Sequence, residues 1–384
     1  MAIEQIDIEK FLQLSEEYSI LDVRSPGEYL HAHIPGALAL PLFTDDQRKI
    51  IGTAYKMQSR QVAVKKGLDF FSERMKAIPE EVEQLIGNRE KSGRDNLIPN
   101  TNRVLIHCWR GGMRSGAVAW LLDLYGFKVY TLKGGYKAFR NWALAQFEKN
   151  YTINILGGYT GSGKTQVLQE LKRTGNIVID LEGLANHKGS AFGALGENPQ
   201  PGQEMFENLL AFELYKATKA AEGLQPNGDM HTSGYSPGIW LEDESRHIGT
   251  VGIPKVFWGQ MRKSSLYFLE IPFEERLKHI INSYGAFDKK DLVNSIMNIQ
   301  KRLGGLETKN AINYLLENKV TDCFSILLRY YDKLYNNSLY NRENIEVLLN
   351  KIPCAAVDIN NAQKFCSQKA CNVFKSNSLW KVDH

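Results

Sequence analysis

Cysteine is scarce in this 384-residue chain: five residues, at positions 108, 323, 354, 366 and 371. The count is odd and no CxxC pair occurs, which argues against a disulfide framework and for a reducing compartment. Cys354, Cys366 and Cys371 are irregularly spaced and match no zinc pattern. Long hydrophobic runs are also missing. No stretch approaches the length of a membrane span, and no basic-then-apolar leader opens the chain, so the expected location is the cytoplasm, away from membranes. Internal repeats and low-complexity segments are lacking too. Neither charge sign dominates, with 47 Lys and Arg against 43 Asp and Glu. That mild basicity is compatible with nucleic acid but does not demand it. What remains is an ordinary globular composition, 43% hydrophobic and 23% charged, in a chain long enough for two domains and an appendage.

The most informative stretch is His107-Cys108-Trp109-Arg110-Gly111-Gly112-Met113-Arg114-Ser115. The apolar run Val104-Leu105-Ile106 before it reads as a buried strand. The amphipathic run Ser115 to Leu124 after it reads as a helix stopped by Gly126. A tight loop between strand and helix turns backbone N–H groups toward the Cys108 side chain. With Arg110 and Arg114 alongside, it favours a thiolate and welcomes an anion. A lone cysteine is more often inert core; the flanking glycines and arginines point the other way.

These residues resemble the active-site loop of a rhodanese domain, the sulfurtransferase fold. Three further stretches carry the likeness: Ile20 to Tyr29 as the early strand and turn, His33-Ile34-Pro35-Gly36-Ala37 as a second signature, and Tyr130 to Tyr136 as the closing strand and loop. Ala32 stands where the family usually has glycine. On this resemblance Asp22 and Arg24 brace the loop from beneath and are not catalytic. From Cys108 to Arg114 the loop is seven residues, one longer than in sulfurtransferases and the length of phosphatase-like members. That length implies a phosphate-bearing donor.

Residues 1–40 are expected to hold a helix (Ile8 to Glu17) and the Ile20–Val23 strand. The first domain then extends to about residue 143, with a helical insertion over about 42–100. Asp45 to Met57 and Gly67 to Ile86 show helical periodicity, and Asn88 to Asn102 reads as a returning loop. Lys49, Lys56, Arg60, Lys65 and Lys66 fall on exposed faces, more often a solvated surface than an RNA contact. Trp142 to Asn150 reads as a linker.

A second site follows the apolar strand Thr152–Leu156. Gly158-Tyr159-Thr160-Gly161-Ser162-Gly163-Lys164-Thr165 fits G-x-x-x-x-G-K-[ST] between that strand and a helix (Gln166 to Arg173). In such a P-loop, backbone N–H groups face phosphate oxygens, Lys164 adds a point charge and Thr165 can hold Mg²⁺. Ile177–Asp180 reads as the next strand, with Glu182 just beyond. Asn186 to Gly193 has the composition of a substrate-facing loop, where the role of His187 stays open. Ile239 to Arg246 reads as a strand ending in three acids. Acids at that strand end, Asp243 among them, could hold a metal hydrate opposite Thr165 or position a base, and Arg246 could neutralise a diphosphate. Residues 203–224, 273–283 and 311–335 read as helices and 266–271 as a core strand. Lys301 to Gly305 is a basic helix end suited to a lid. The P-loop domain is drawn over 151–345 and an appendage over 346–384, whose last 24 residues carry four Lys against one Asp.

The expected architecture is therefore α/β: a rhodanese-like domain with a helical insertion, then a P-loop NTPase-like domain on a parallel sheet. Such a fusion, with the Cys108 loop and Glu242-Asp243-Glu244-Ser245-Arg246, resembles the tRNA 2-selenouridine synthase family across nearly the whole chain. The resemblance implies a transferase acting on 2-thiouridine at the wobble position of tRNA, with the Lys, Glu and Gln tRNAs as partners. Sulfur is alkylated by geranyl diphosphate, and the S-geranyl group is then replaced by selenium from selenophosphate, made by a supplying enzyme. Gly158, Gly161, Ser162, Gly163, Lys164, Thr165, Asp243 and Arg246 would hold the diphosphate, with Mg²⁺ on Thr165. Cys108, Arg110 and Arg114 would serve the selenium step, either by carrying selenium as a perselenide or by binding selenophosphate for direct transfer. The rival enzyme is a sulfurtransferase fused to an ATP-dependent small-molecule kinase, which would turn over ATP without tRNA. A docking module with a nucleotide switch would instead tolerate loss of Cys108.

Overall fold

The computed structural model describes residues 3–91, 102–223 and 238–366. Contacts divide the chain into two compact units, residues 1–146 with 207–212, and residues 147–206 with 213–384.

The first unit is built on five parallel strands: β1 (Ile3–Ile6), β2 (Ser19–Asp22), β3 (Leu38–Ala39), β4 (Arg103–His107) and β5 (Lys128–Leu132), in the order β1-β5-β4-β2-β3. Val104, Leu105 and Ile106 of β4 are fully buried, because helices cover both faces of the sheet. Among these helices are α1 (Ile8–Leu14), α2 (Pro26–His31), α3 (Asp45–Met57), α4 (Arg60–Arg74), α5 (Ala77–Lys91), α6 (Met113–Tyr125) and α7 (Gly135–Gln146). α6 ends at Gly126, whose φ of 107° is left-handed and closes the helix.

Several expected boundaries shift. α1 stops at Leu14, and α7 absorbs the start of the expected linker. The second stretch of the insertion is two helices. Pro79 lacks an N–H and sits in the first turn of α5, where none is needed, so the break between the two helices precedes it. Residues 92–101 of the expected returning loop lie outside the described residues.

The second unit has four parallel strands in the order β11-β10-β6-β7, namely β6 (Ile153–Gly158), β7 (Ile239–Glu242), β10 (Ser265–Glu270) and β11 (Leu349–Pro353), with a small antiparallel pair, β8 (His247–Ile248) and β9 (Val251–Gly252). Two expectations are corrected here. Ile177–Asp180 is no strand but one bridge, Val178 to Trp240, because Asp180 immediately caps α9 (Leu181–Ala185) by accepting from Gly183 N–H. Leu349–Pro353, assigned to the appendage, pairs along β10 and completes the sheet. The helical stretch 311–335 is two helices, Gly305–Leu316 and Val320–Tyr340. The basic tail beyond residue 366 lies outside the described residues.

Candidate active sites

The Cys108 loop leaves the C-terminal end of the central strand β4 and enters α6, the usual place for a ligand in an open parallel sheet. Cys108 is buried, 3% exposed. Its Sγ lies 3.2 Å from Ser115 Oγ and accepts from Gly112 N–H at 3.4 Å. Burial pushes the thiol up. The Ser115 hydroxyl and the backbone N–H groups of Ser115, Gly112 and Arg110 outweigh it and hold Cys108 below the ordinary thiol value. Cys323 shows what burial does alone: equally buried and without such donors, its thiol is pushed up to about 12.

The two arginines behave differently from expectation. Neither guanidinium supports the thiolate; it is the Arg110 backbone N–H that does so. Arg114 is engaged by Glu28, with Nη1 donating to Oε2 at 2.7 Å. Arg48, from the insertion, reaches the same oxygen at 3.0 Å. Glu28 also accepts from Ser25 N–H at 3.1 Å. Burial pushes its carboxyl up, but Arg114, Ser25 and Arg48 bring it down to about 2. Glu28 therefore fixes the Arg114 side chain. The Ser25-x-x-Glu28 capping signature was its only trace in the sequence.

Backbone packing sets the loop's shape. Gly111 has φ +63°, and a Cβ there would meet Leu132 O at 2.5 Å. Gly135 has φ +59°, and its Cβ would meet Cys108 O and Gly111 N, both at 2.4 Å. The Gly134-Gly135 pair thus lets the closing loop lie against the Cys108 loop. Tyr136 N–H donates to Cys108 O at 2.8 Å and Lys137 N–H to Trp109 O at 3.0 Å. Beneath them Arg24, 1% exposed, pairs with Asp22, donates to Ala32 O at 2.7 Å and lies 3.9 Å from the Tyr136 ring centre. Ala32 is extended, φ −169°, so the missing glycine is no loss there.

In the second unit, β6 runs into the P-loop and α8 (Lys164–Arg173). Gly158, Gly161 and Gly163 all have positive φ, as a backbone curled round a phosphate requires. Lys164 Nζ donates to Gly158 O at 3.0 Å, spanning the loop. Ser162 Oγ is buried without a partner. Arg276 braces the outer side, donating to Thr160 O at 3.1 Å while paired with Asp332 at 2.8 Å.

The acidic strand end needs correction. Asp243 does not face the P-loop lysine: it is bound to the buried Arg342 and accepts from Tyr335 Oη at 2.6 Å. Tyr335 Oη in turn accepts from Gly158 N–H at 3.2 Å, so Asp243 acts on the loop only through the tyrosine. Arg246 is exposed, and among the described residues no ion pair or hydrogen bond ties its guanidinium to the P-loop. Glu242 turns into the core and accepts from Leu181 N–H at 3.1 Å. Glu182 and Glu244 take the place given to Asp243. Burial raises both carboxyls, and Glu182 raises Glu244 further, while Lys164 opposes the shift in both and the hydrogen bond with Glu244 lowers Glu182. The two carboxyls are hydrogen-bonded to each other beside Lys164. Nothing in the sequence distinguished Glu244 from its two acidic neighbours. His187 is structural, its Nδ1 accepting from Gly189 N–H at 3.2 Å.

Thr165 Oγ1 donates to Glu182 Oε2 at 3.3 Å. A hydroxyl and a carboxyl are hard oxygen donors, which fit a hydrated Mg²⁺ also held by phosphate oxygens. Among the described residues, no group of three or more His, Cys, Asp or Glu forms an all-protein metal cage. No described helix is long and apolar enough to cross a membrane.

Comparison with known proteins agrees with both halves. The family model described as tRNA 2-selenouridine synthase AAA domain matches residues 151–352, and the rhodanese-like domain model matches residues 7–141. A solved rhodanese-related protein from Thermoplasma volcanium is 16% identical with a TM-score of 0.19, over 35% of this chain and 88% of that one. The chain is 33% identical to a tRNA 2-selenouridine synthase from Sulfurovum sp., covering 83% of this chain and 87% of that protein. A relative of the same name from Shewanella denitrificans is 32% identical over 84% of this chain and 89% of its own length. A rhodanese-like unit whose loop cysteine is held below the ordinary thiol value, followed by a P-loop unit of the matching type, places this chain in the tRNA 2-selenouridine synthase family.

Proposed function

We propose that the protein converts 2-thiouridine at the tRNA wobble position to 2-selenouridine, in two stages served by its two loops. The observation that carries this reading is the Cys108 loop, an anion cradle whose cysteine is held below the ordinary thiol value, in one chain with a P-loop.

In the first stage the sulfur of 2-thiouridine attacks the allylic carbon of geranyl diphosphate, and diphosphate leaves. Such a displacement needs little beyond stabilisation of the departing anion. The P-loop N–H groups and Lys164 are suited to that, and Thr165 with Glu182 would hold a hydrated Mg²⁺. Mg²⁺, when bound, supplies further positive charge against the leaving group. Alkylation converts a poor leaving group on C2 into a better one, so the order of stages follows from the chemistry.

In the second stage selenium replaces the geranylthio group. A thiolate that took selenium directly from selenophosphate would have to expel phosphorus reduced by two electrons. The balanced route is attack of the selenium of selenophosphate on C2, departure of geranylthiolate with a proton, and transfer of the phosphoryl group to water as phosphate. The Cys108 loop would bind the donor's phosphoryl oxygens, with Glu28 fixing Arg114 at the rim. Partners on this reading are the Lys, Glu and Gln tRNAs and the enzyme that makes selenophosphate, in the cytoplasm.

The test is mass spectrometry of nucleosides from 2-thiouridine tRNA incubated with both donors, each omitted in turn. A geranylthio product with geranyl diphosphate alone, converted by selenophosphate, is the expected result. Unchanged 2-thiouridine in every tube, with ATP hydrolysed, would favour the kinase reading.

A further inference from the structure

The insertion helices enclose an apolar cavity of about 570 Å³ in the first unit, within the size of small-molecule sites (roughly 300–1,000 Å³). Its floor includes Phe43 and Phe71, with Ile51 and Ala117 around them. Large apolar side chains stay exposed at the mouth: Tyr55 and Leu68 at 58% each and Met113 at 57%. The rim is cationic. Arg48, Lys49, Lys56 and Arg114 border the cavity; Arg48 and Arg114 share the Glu28 carboxylate, whereas among the described residues no carboxylate pairs with Lys49 or Lys56. An apolar slot with a positive rim matches an apolar chain carried on a polyanion. Its position narrows the occupant further. Met113, Arg114 and Ala117 belong to the first turns of α6, directly after the Cys108 loop, so the slot and the thiolate share one short segment.

We propose that this cavity holds the geranyl chain of the S-geranyl-2-thiouridine intermediate, with the RNA phosphates against the Arg48, Lys49 and Lys56 rim. The inference rests on the two-stage reading above and assigns the chain of the second-stage substrate to the insertion. The helical insertion then has a purpose that a sulfurtransferase core would not need: it shelters the group that must leave beside the selenium donor. Displacement from C2 releases geranylthiol, whose chain lies in the slot and whose sulfur takes the proton.

Gly67 offers a way to fill the cavity without strain. It lies within α4, and a Cβ there would meet only Phe43 and Ile51, at ordinary distances of 3.7 and 3.8 Å. The full-length protein would be given short anticodon stem-loops bearing 2-thiouridine, S-methyl-2-thiouridine or S-geranyl-2-thiouridine. Wild type is expected to bind the S-geranyl RNA at least about tenfold more tightly than the S-methyl RNA, which has equal charge. Gly67→Leu should reduce that preference to near one and slow selenation of pre-geranylated RNA about tenfold or more, with its thermal midpoint held or raised. Leu68→Glu, at the exposed mouth, should lower the same preference and serves if Gly67→Leu fails to fold. Equal affinity of wild type for the two RNAs would overturn the proposal. So would normal selenation of pre-geranylated RNA by both variants, or loss of geranylation alone, which would make the cavity a donor site. If wild type binds the S-geranyl RNA preferentially but never selenates it, the two-stage reading fails and chain recognition stands.

Discussion

The Cys108 loop and the P-loop are the same backbone device put to two uses. Each follows a central parallel strand, bends through glycines of positive φ, and delivers its N–H groups at the start of a helix. In the first unit those N–H groups point at a side chain of the loop itself and hold its thiol below the ordinary value. In the second the loop bears Lys164 and leaves its N–H groups for an anion from outside. The bracing follows the same division. Asp22–Arg24 and Glu28–Arg114 hold the thiolate loop, whereas Arg276–Asp332 and the Arg342–Asp243–Tyr335 chain hold the P-loop. The C-terminal end of a parallel strand therefore sets where an anion is held, and one or two side chains decide what the loop's N–H groups meet there.

That comparison can be broken most sharply at its two charged centres. Cys108→Ala removes the thiol from the donor-binding loop but keeps its N–H groups, so it is expected to slow selenation while geranylation persists, and geranylated tRNA accumulates in the nucleoside profile. Lys164→Ala should do the reverse. Geranylation should fall by on the order of a thousandfold, while pre-geranylated RNA is still selenated. Full geranylation by that variant would remove the P-loop from the first stage.

Smaller effects test the scaffold. Gly135→Ala would drive a Cβ into Cys108 O and Gly111 N, so the loop must shift. Selenation should drop at least about tenfold, with a stability loss of about 1–3 kcal/mol in denaturant melts. Glu28 is a carboxylate whose folded value, about 2, lies below its ordinary value of 4.5. Its contribution is present above pH 4.5 and lost as pH falls from there through 2. It is worth on the order of 3 kcal/mol. Glu28→Gln should flatten the acid limb of the stability profile in that window. The smallest change is Ser115→Ala, which removes one hydroxyl from Sγ and should move the pH midpoint of Cys108 alkylation upward, toward an ordinary thiol. An unmoved midpoint would assign the thiolate's stabilisation to the backbone alone.

Much of this was legible from the chain because it is local. Strand, glycine-rich loop and helix follow one another within about fifteen residues at both sites, so the sequence by itself determined the parallel α/β character, the position of Cys108 and the P-loop. The family resemblance added the fusion of the two. Tertiary structure alone decided which acids matter. Glu242, Asp243 and Glu244 are adjacent in sequence, yet one accepts from Leu181 N–H, one pairs with Arg342 and one is hydrogen-bonded to Glu182. Alternating direction along a strand end and partners from 61 to 99 residues away make that division. The role of Arg114 turned on Glu28, 86 residues earlier, in the same way. Leu349–Pro353 joined the sheet because β10 offered an open edge, which no local pattern records. The apolar cavity, too, exists only where α3, α4 and α6 meet, since its residues are unremarkable one by one and acquire meaning as a shared surface.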